Sequence, residues 1–541
     1  MKLYIKLAGI AILFLVITSS CKKDFDEINT NPHAFTTASD GSLFNGIIQS
    51  MILTGNEQFY INNEILYKQT QQAALTRDAW GNFTLGTEDM WSSYYRSLPS
   101  FRELDKRWNA EPQTGEIINM QAMLKIALAY KTFKLTDVFG DIPFFKAGYG
   151  FQDLVYLYPA YDSQEDIYKH LLDELQWCDE NIDVSAVTEE PFPSFSAFDP
   201  LLKADMLMWQ KFANSLRLRY ALRMSEKEPE LAGEIIKSIV DEARPLILGY
   251  DFITFVNEDV SIRPADMGFK NQSLNWSFRE HENLRMGSNI WHQFSSHDST
   301  DGSGIFDPRA YIFFETNNED QWVVYPQLAE PNTPSSGGIP YDSHRDGPGA
   351  YFIKGEDCIY SIFNYFVVRD EDFMPIPLIT GAETHFILAE AYFRGIGLPM
   401  DLDQADIEYM NGINASIEWW MEVASKSKLP TSGQKFPDLI DIPSNLSAIS
   451  VLNVFGSWMA GSEEEKLRNI YTQRWIDAFR QPWEAYALTR RTNKTPREGD
   501  PINHFRMPYP PSEAEYNTAN WQNALSNQGG EEPEYKLWWI P

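Results

Sequence analysis

Five stretches of this sequence place apolar residues three and four apart, and each is bounded by residues that start or stop a helix. From Ile117 onward, Met120, Leu124, Ala127, Leu128 and Leu135 recur near helical spacing, and Gly140 followed by Pro143 is placed to end the run. Ser163 and Asp166 form a capping pattern ahead of Ile167, Leu171, Leu175, Cys178 and Ile182. Trp209, Phe212, Leu216 and Tyr220 mark a third helix within residues 201–224. Residues 382–394 read as a fourth, closed by Gly395. Ser462 with Glu465 opens a fifth, carrying Leu467, Tyr471, Trp475 and Ala478, with a break at Pro482. A helix with one apolar stripe must bury it against another element. The chain is therefore expected to be mostly α.

Between these helices lie looser regions. Residues 250–380 are rich in Gly, Pro, Asn, Asp and aromatics, with short apolar runs at 310–315 and 363–369 expected as strands. Residues 427–450 read as loop, and 493–534 carry little helical signal before Trp521. A length of 541 residues alone suggests roughly three or four domains. Helices at both ends with an irregular middle instead suggest one α-solenoid-like body with insertions. No strict repeat of fixed period occurs, which argues against an array of near-identical units.

The first residues read as an export signal. Lys2 and Lys6 precede an apolar run at 7–17, then Thr18, Ser19, Ser20 and Cys21. The run is too short to span a bilayer. A cysteine directly after the cleavage zone resembles a bacterial lipobox, with Cys21 as the lipidated N-terminus of the mature chain. Residues 1–20 are thus expected as signal peptide, 21–36 as a lipidated tether, and 37–541 as the body. Cys178 and Cys358 remain. Export permits a disulfide, and two separate buried thiols is the preferred reading.

The formal charge of −31 disfavours nucleic acid, which needs a basic surface to displace phosphate counterions. Nucleotide loops, zinc-protease and serine-hydrolase motifs and paired CxxC are all absent. His292 and His297 are poorly spaced for shared metal ligation. Residues 298–307 (DSTDGSGIFD) carry oxygen ligands without EF-hand spacing and read as an acidic surface turn. No cofactor and no metal is expected, and the chain reads as a binding protein and not an enzyme.

Seven blocks, in order along nearly the whole chain, resemble the SusD/RagB-like family of surface lipoproteins that accompany TonB-dependent transporters in Bacteroidota. They begin with Cys21, Asp24, Phe25, Glu27, Ile28, Asn29 and Pro32. LTDVFGDIPF at 135–144 follows, then Tyr158, Pro159, Tyr161, Asp162, Gln164, Ile167 and Tyr168. WQKFANSLRLRYALR at 209–223, Glu390-Ala391 with Arg394-Gly395, and QRWIDAFRQPWEAYALTRR at 473–491 continue the series. Arg506, Tyr509, Pro510, Glu513, Asn517 and Asn520 complete it. The sequence is similar to the starch-binding, outer-membrane-associated branch. The resemblance implies one domain of tetratricopeptide-like helix pairs (an α-α superhelix) with an irregular ligand-binding insertion at about 250–380. It also implies attachment to the outer membrane and a SusC-like TonB-dependent transporter as partner.

The blocks themselves read as structural. FGDIP is a helix stop and turn. Arg217, Arg219 and Arg223 are expected to make internal ion pairs, and Trp475, Trp483 and Tyr486 to lie in the core. Ligand contacts are expected on loops, where aromatic rings take the C–H face of a sugar and polar side chains take its hydroxyls. Two loops qualify. Residues 77–95 hold Arg77, Asp78, Trp80, Asn82, Phe83 and Trp91. Residues 269–345 hold Phe269, Asn271, Trp276, Arg279, Trp291, Trp322, Tyr325 and Tyr341. The favoured contacts are Arg77, Asp78, Trp80, Asn82, Trp276, Arg279, Trp291, Trp322 and Tyr341. The glycine-rich segment at 335–349 reads either as a lid or as a plain surface loop. The expected function is capture of a glycan, or of a peptide, and delivery to the transporter. A secreted glycoside hydrolase and a helical-repeat scaffold without a small ligand stay open as alternatives.

Overall fold

A computed structural model describes residues 38–77, 83–251, 256–270, 276–278, 283–335, 358–369, 373–429, 433–455, 461–530 and 532–541. The N-terminal half is built from successive helices, each packed on the next: α1 (Asp40–Gln49), α2 (Thr84–Asn109), α3 (Gly115–Phe139), α4 (Gln164–Asn181), α5 (Met206–Met224) and α6 (Pro229–Asp241). A π-helical segment, Glu57–Leu66, lies against α2. The C-terminal half adds α7 (Gly381–Arg394), α8 (Leu402–Lys426), α9 (Glu463–Asp477), α10 (Pro482–Thr492) and α11 (Thr518–Gln528). The fold is mostly helical with tetratricopeptide-like pairing.

The caps read in the sequence are in place. Ser163 Oγ accepts from Asp166 N, and Ser462 with Glu465 forms a reciprocal capping box. Pro482 occupies the first turn of α10, where its missing N–H costs nothing. Gly140 ends α3 at φ 88°, and a Cβ there would meet Gln528 Oε1 at 2.3 Å, so the turn requires glycine twice over. Phe133 of α3 stacks on Tyr220 of α5 at 3.6 Å. Two hydrophobic clusters result. Helix α7 serves both: Ile387, Leu388 and Ala391 face the first cluster, and Ala382, Phe386, Ala389 and Phe393 the second. Cys178 and Cys358 are both buried and are not joined in a disulfide.

Strands are few and short among the described residues. β1 (Ala74–Leu75) pairs with β4 (Leu284–Arg285), β2 (Gly249–Asp251) and β7 (Ile376–Thr380) flank β3 (Val256–Ile262), and β5 (Phe314–Glu315) pairs with β6 (Ile362–Phe363), all antiparallel. The expected strands at 310–315 and 363–369 are largely helical turns. Arg309–Phe313 is a helix because Asp307 accepts from Arg309 N and from its guanidinium. Tyr365–Arg369 is a helix because Asn364 Oδ1 accepts from Phe366 N. The stretch 427–450 contains the helical turn Phe436–Leu439, and 493–534 contains Pro511–Tyr516 and α11. Within 77–95, helix α2 begins at Thr84, so the loop is shorter than expected.

The sequence blocks converge on a buried polar network. Arg219 Nε and Nη2 clamp Glu383 at 2.9 and 2.5 Å, and Arg474 reaches the same carboxylate at 2.9 Å. Arg223 bridges Asp137 and Glu484. Arg217 pairs with Asp179 at 3.3 Å. Arg490 donates to Asp137 O, Arg506 to Phe139 O and Tyr509 OH to Asp141 O, tying the C-terminal segment to the end of α3. Glu513 accepts from Trp91 Nε1 and Tyr161 OH. Trp475, Trp483 and Tyr486 are buried. Buried ion pairs stabilise little over apolar packing, but losing one partner strands the other, so such pairs fix which helices meet.

Candidate ligand-binding site

The strand just before the first loop pairs with the second loop, about 200 residues on. β1 pairs with β4, with Ala74 opposite Arg285 and Leu75 opposite Leu284. Thr76 N continues the pairing to Asn283 O at 3.0 Å. Arg77, just beyond β1, is exposed. Gln327 donates to Ala73 O at 3.4 Å, which joins the same region from the far side of the insertion.

Trp276 lies in the second loop, shortly before β4 in the chain. Residues 276–278 form a short helical turn in which Phe278 points inward and Trp276 outward. Phe278 is 2% exposed, lies 5.5 Å from Phe363 and has the Arg480 guanidinium over its ring. Ser277 is fully buried, and its carbonyl accepts from Asn63 Nδ2 at 3.3 Å. Asn63 is itself fixed, because its Oδ1 accepts from Gln58 Nε2 at 2.9 Å. Trp276, at 36% exposed, rests on Phe59 with ring centroids 5.3 Å apart, and Phe59 meets Tyr60 edge-on at 4.9 Å. An indole locked from behind and open in front can take an apolar ring face without losing rotamer freedom. Phe59, Tyr60 and Asn63 were missed in the sequence because they lie inside the π-helical segment and carry no loop signal.

The other expected contacts fall elsewhere. Trp291 and Trp322 are 2% and 8% exposed and stack on each other at 5.6 Å, with Tyr311 edge-on to Trp322 at 5.4 Å. Neither indole presents a face to solvent. Tyr325 is buried with its hydroxyl near Thr76 O, Phe269 packs partly buried on the first cluster, and Trp91 packs among Tyr95, Phe139 and Tyr509. Cys21, Asp78, Trp80, Asn82, Asn271, Arg279 and Tyr341 lie outside the described residues. Among the described residues there is no group of three or more side chains suited to a metal ion, and no helix long and apolar enough to cross a membrane.

Comparison with known families decides the relationship. A family model described as SusD-like, starch-binding and associating with the outer membrane matches residues 32–497. The chain belongs to the SusD-like family. None of the curated proteins matches this chain significantly. Among solved structures, a chitin-binding protein superposes with a TM-score of 0.67 at 19% identity, covering 93% of this chain and 100% of its own. A chitin-binding SusD homologue from Flavobacterium johnsoniae gives 0.64 at 20%, covering 92% and 98%. A SusD homologue from Bacteroides vulgatus gives 0.61 at 21%, covering 89% and 92%. At these identities the likeness establishes the SusD-like fold alone.

Proposed function

We propose that this SusD-like protein is a glycan-binding lipoprotein of the outer membrane, held by a lipid on Cys21, that passes its ligand to a SusC-like TonB-dependent transporter. The observation that carries the reading is the Trp276 turn: a half-exposed indole in the second aromatic-rich loop, backed by Phe59 and held by Asn63 and Phe278. The family description names starch, and two of the similar structures are of proteins described as chitin-binding, so both glycan classes are the first candidates. Trp276 is the proposed platform, and Arg77, Asp78, Trp80, Asn82, Arg279 and Tyr341 are proposed to extend it.

The test is calorimetry of the mature chain with maltooligosaccharides, chitooligosaccharides and a wider glycan and peptide panel. Saturable binding of a glycan that weakens at least tenfold in Trp276→Ala is expected, as for an aromatic hot spot. Binding of no panel member, binding indifferent to Trp276→Ala, or release of new reducing ends from a polysaccharide would each overturn the reading. Cys21→Ala is expected to move the protein out of the membrane fraction, and co-purification of a barrel with the native lipoprotein tests the partnership.

A further inference from the structure

A second cavity lies away from the Trp276 turn, between α2, α3, α4 and the loop that follows α3, with a volume of about 270 Å³. Its wall is built from fixed groups. Arg102 of α2 donates to Phe144 O at 2.6 Å and Ala147 O at 3.2 Å, and its guanidinium lies 5.2 Å from the Phe144 ring centre and 5.0 Å from that of Tyr149. Arg102 thus fastens the loop to the helix through Nε and Nη2. Lys125 of α3 pairs with Glu174 of α4 and lies over the Trp177 ring.

Three lining side chains are left over. Asp105 of α2, the Tyr149 hydroxyl and His170 of α4 make no hydrogen bond or ion pair to any described residue. His170 is instead flanked edge-on by Phe145, at 5.2 Å, and Phe145 is 37% exposed. The lining therefore offers the Asp105 carboxylate, the His170 imidazole, the Tyr149 hydroxyl and the open face of an aromatic ring.

The charges select the ligand class. Arg102 and Lys125 balance Asp105 and Glu174. Burial lowers the His170 pKa below 6.5 and Arg102 and Lys125 add to this, outweighing Glu174, so the imidazole is neutral at pH 7. A site without net charge favours an uncharged ligand rich in hydroxyls over an ion. The volume falls just under the roughly 300–1,000 Å³ of drug-sized sites, which suits a single six-membered ring.

We propose that this cavity is a second saccharide site, taking one neutral pyranose ring, with its hydroxyls on Asp105 and His170 and its C–H face on Phe145. The site stands on its own geometry and does not depend on the Trp276 platform. The probes are the methyl glycosides of glucose, N-acetylglucosamine, galactose and mannose, with glucosamine and glucuronate as charged controls, followed by saturation-transfer NMR on the full chain. At least one neutral glycoside is expected to bind equally to the unmodified chain and to Trp276→Ala. Its affinity should fall about tenfold or more in Asp105→Ala, the loss of a hydrogen bond to a charged group. His170→Ala and Phe145→Ala should weaken it as well, with the melting temperature unchanged in Asp105→Ala. Binding of none of the neutral glycosides, binding of the charged controls alone, or binding unaffected by both Asp105→Ala and His170→Ala overturns the proposal. Oligosaccharide binding lost only through Trp276, with no glycoside bound here, refutes this site and leaves the first reading intact.

Discussion

Replacing Glu390 by Gln isolates one charge of the buried network. Its carboxylate is fully buried on α7 and accepts from Tyr471 OH at 2.9 Å, Arg394 Nη1 at 2.9 Å, and Arg491 Nη1 and Nη2 at 2.7 and 2.6 Å. Burial opposes its charge, and the guanidinium groups of Arg491 and Arg394 outweigh burial and bring its pKa down from 4.5 to about 2. At about 1.4 kcal/mol for each pH unit, the charged form stabilises the fold by about 3 kcal/mol. A second route gives a similar figure: removing one partner of a buried pair costs roughly 3–5 kcal/mol, because the other charge is left alone. The sign follows from the depressed pKa. The unfolded chain takes up the proton first, so this stability is fully present above pH 4.5 and is lost as pH falls towards 2. Glu390→Gln should therefore be about 3 kcal/mol less stable than the native protein at pH 7 and only about 1 kcal/mol less stable at pH 3. Denaturant midpoints at the two pH values read the difference. A gap of equal size at both pH values, or none at pH 7, refutes the reasoning.

Lys131, buried on α3, has its pKa pushed down to about 7 by burial, with Lys134 adding and Glu57 opposing, so folding is disfavoured below pH 10.5 and most strongly below 7. Lys131→Met should raise stability at pH 7 by about 2 kcal/mol after the hydrogen bonds to Ser50 are lost, and the sign should reverse to a loss of about 1 kcal/mol at pH 9.5, as read by thermal melts. Gly397 sits at φ 70° with an added Cβ only 2.1 Å from Gly233 O, so Gly397→Ala should cost about 2–4 kcal/mol in a denaturant titration and leave glycan binding intact. Trp276→Ala should do the reverse, removing glycan affinity while changing the melting temperature little, since its ring is already partly in water.

The helices legible in the sequence are those whose stripe and caps agree. α4 has Ser163 at its start and Ile167, Leu171, Leu175 and Cys178 buried in a row. α11 gave a signal only from Trp521 onward, because Ala524 is its one buried residue and leaves little periodicity to read. The apolar run at 310–315 is too short to separate strand from helix by period, and the Asp307 contact that decides it is a local hydrogen bond. The site was legible as two loops, and the pairing of β1, just before the first, with β4 in the second was not, since the strands are two residues each. Trp291 carried a signal of its packing: Ile290 and Phe294 beside it are buried, whereas Trp276 is bracketed by polar residues. The second cavity left no mark at all, because Asp105, Lys125 and His170 come together from three helices.

The difference between these two kinds of residue explains why the chain's family is easier to read than its ligand. Asp137, Glu383, Glu390 and Glu484 are each buried against arginines from other helices. Changing either member of such a pair strands a charge, so the residues must be kept or exchanged together, and they leave recognisable blocks in the sequence. Trp276 is under no such constraint. It faces water, its anchors Asn63 and Phe278 act on the turn's backbone and neighbour, and its replacement leaves nothing buried and unpaired. A turn of this kind can change with the ligand while the scaffold stays as it is. Superposition on chitin-binding structures therefore measures the network, and ligand preference should travel with the turn: grafting the residues around Trp276 onto a SusD-like scaffold of different preference should carry this chain's preference across.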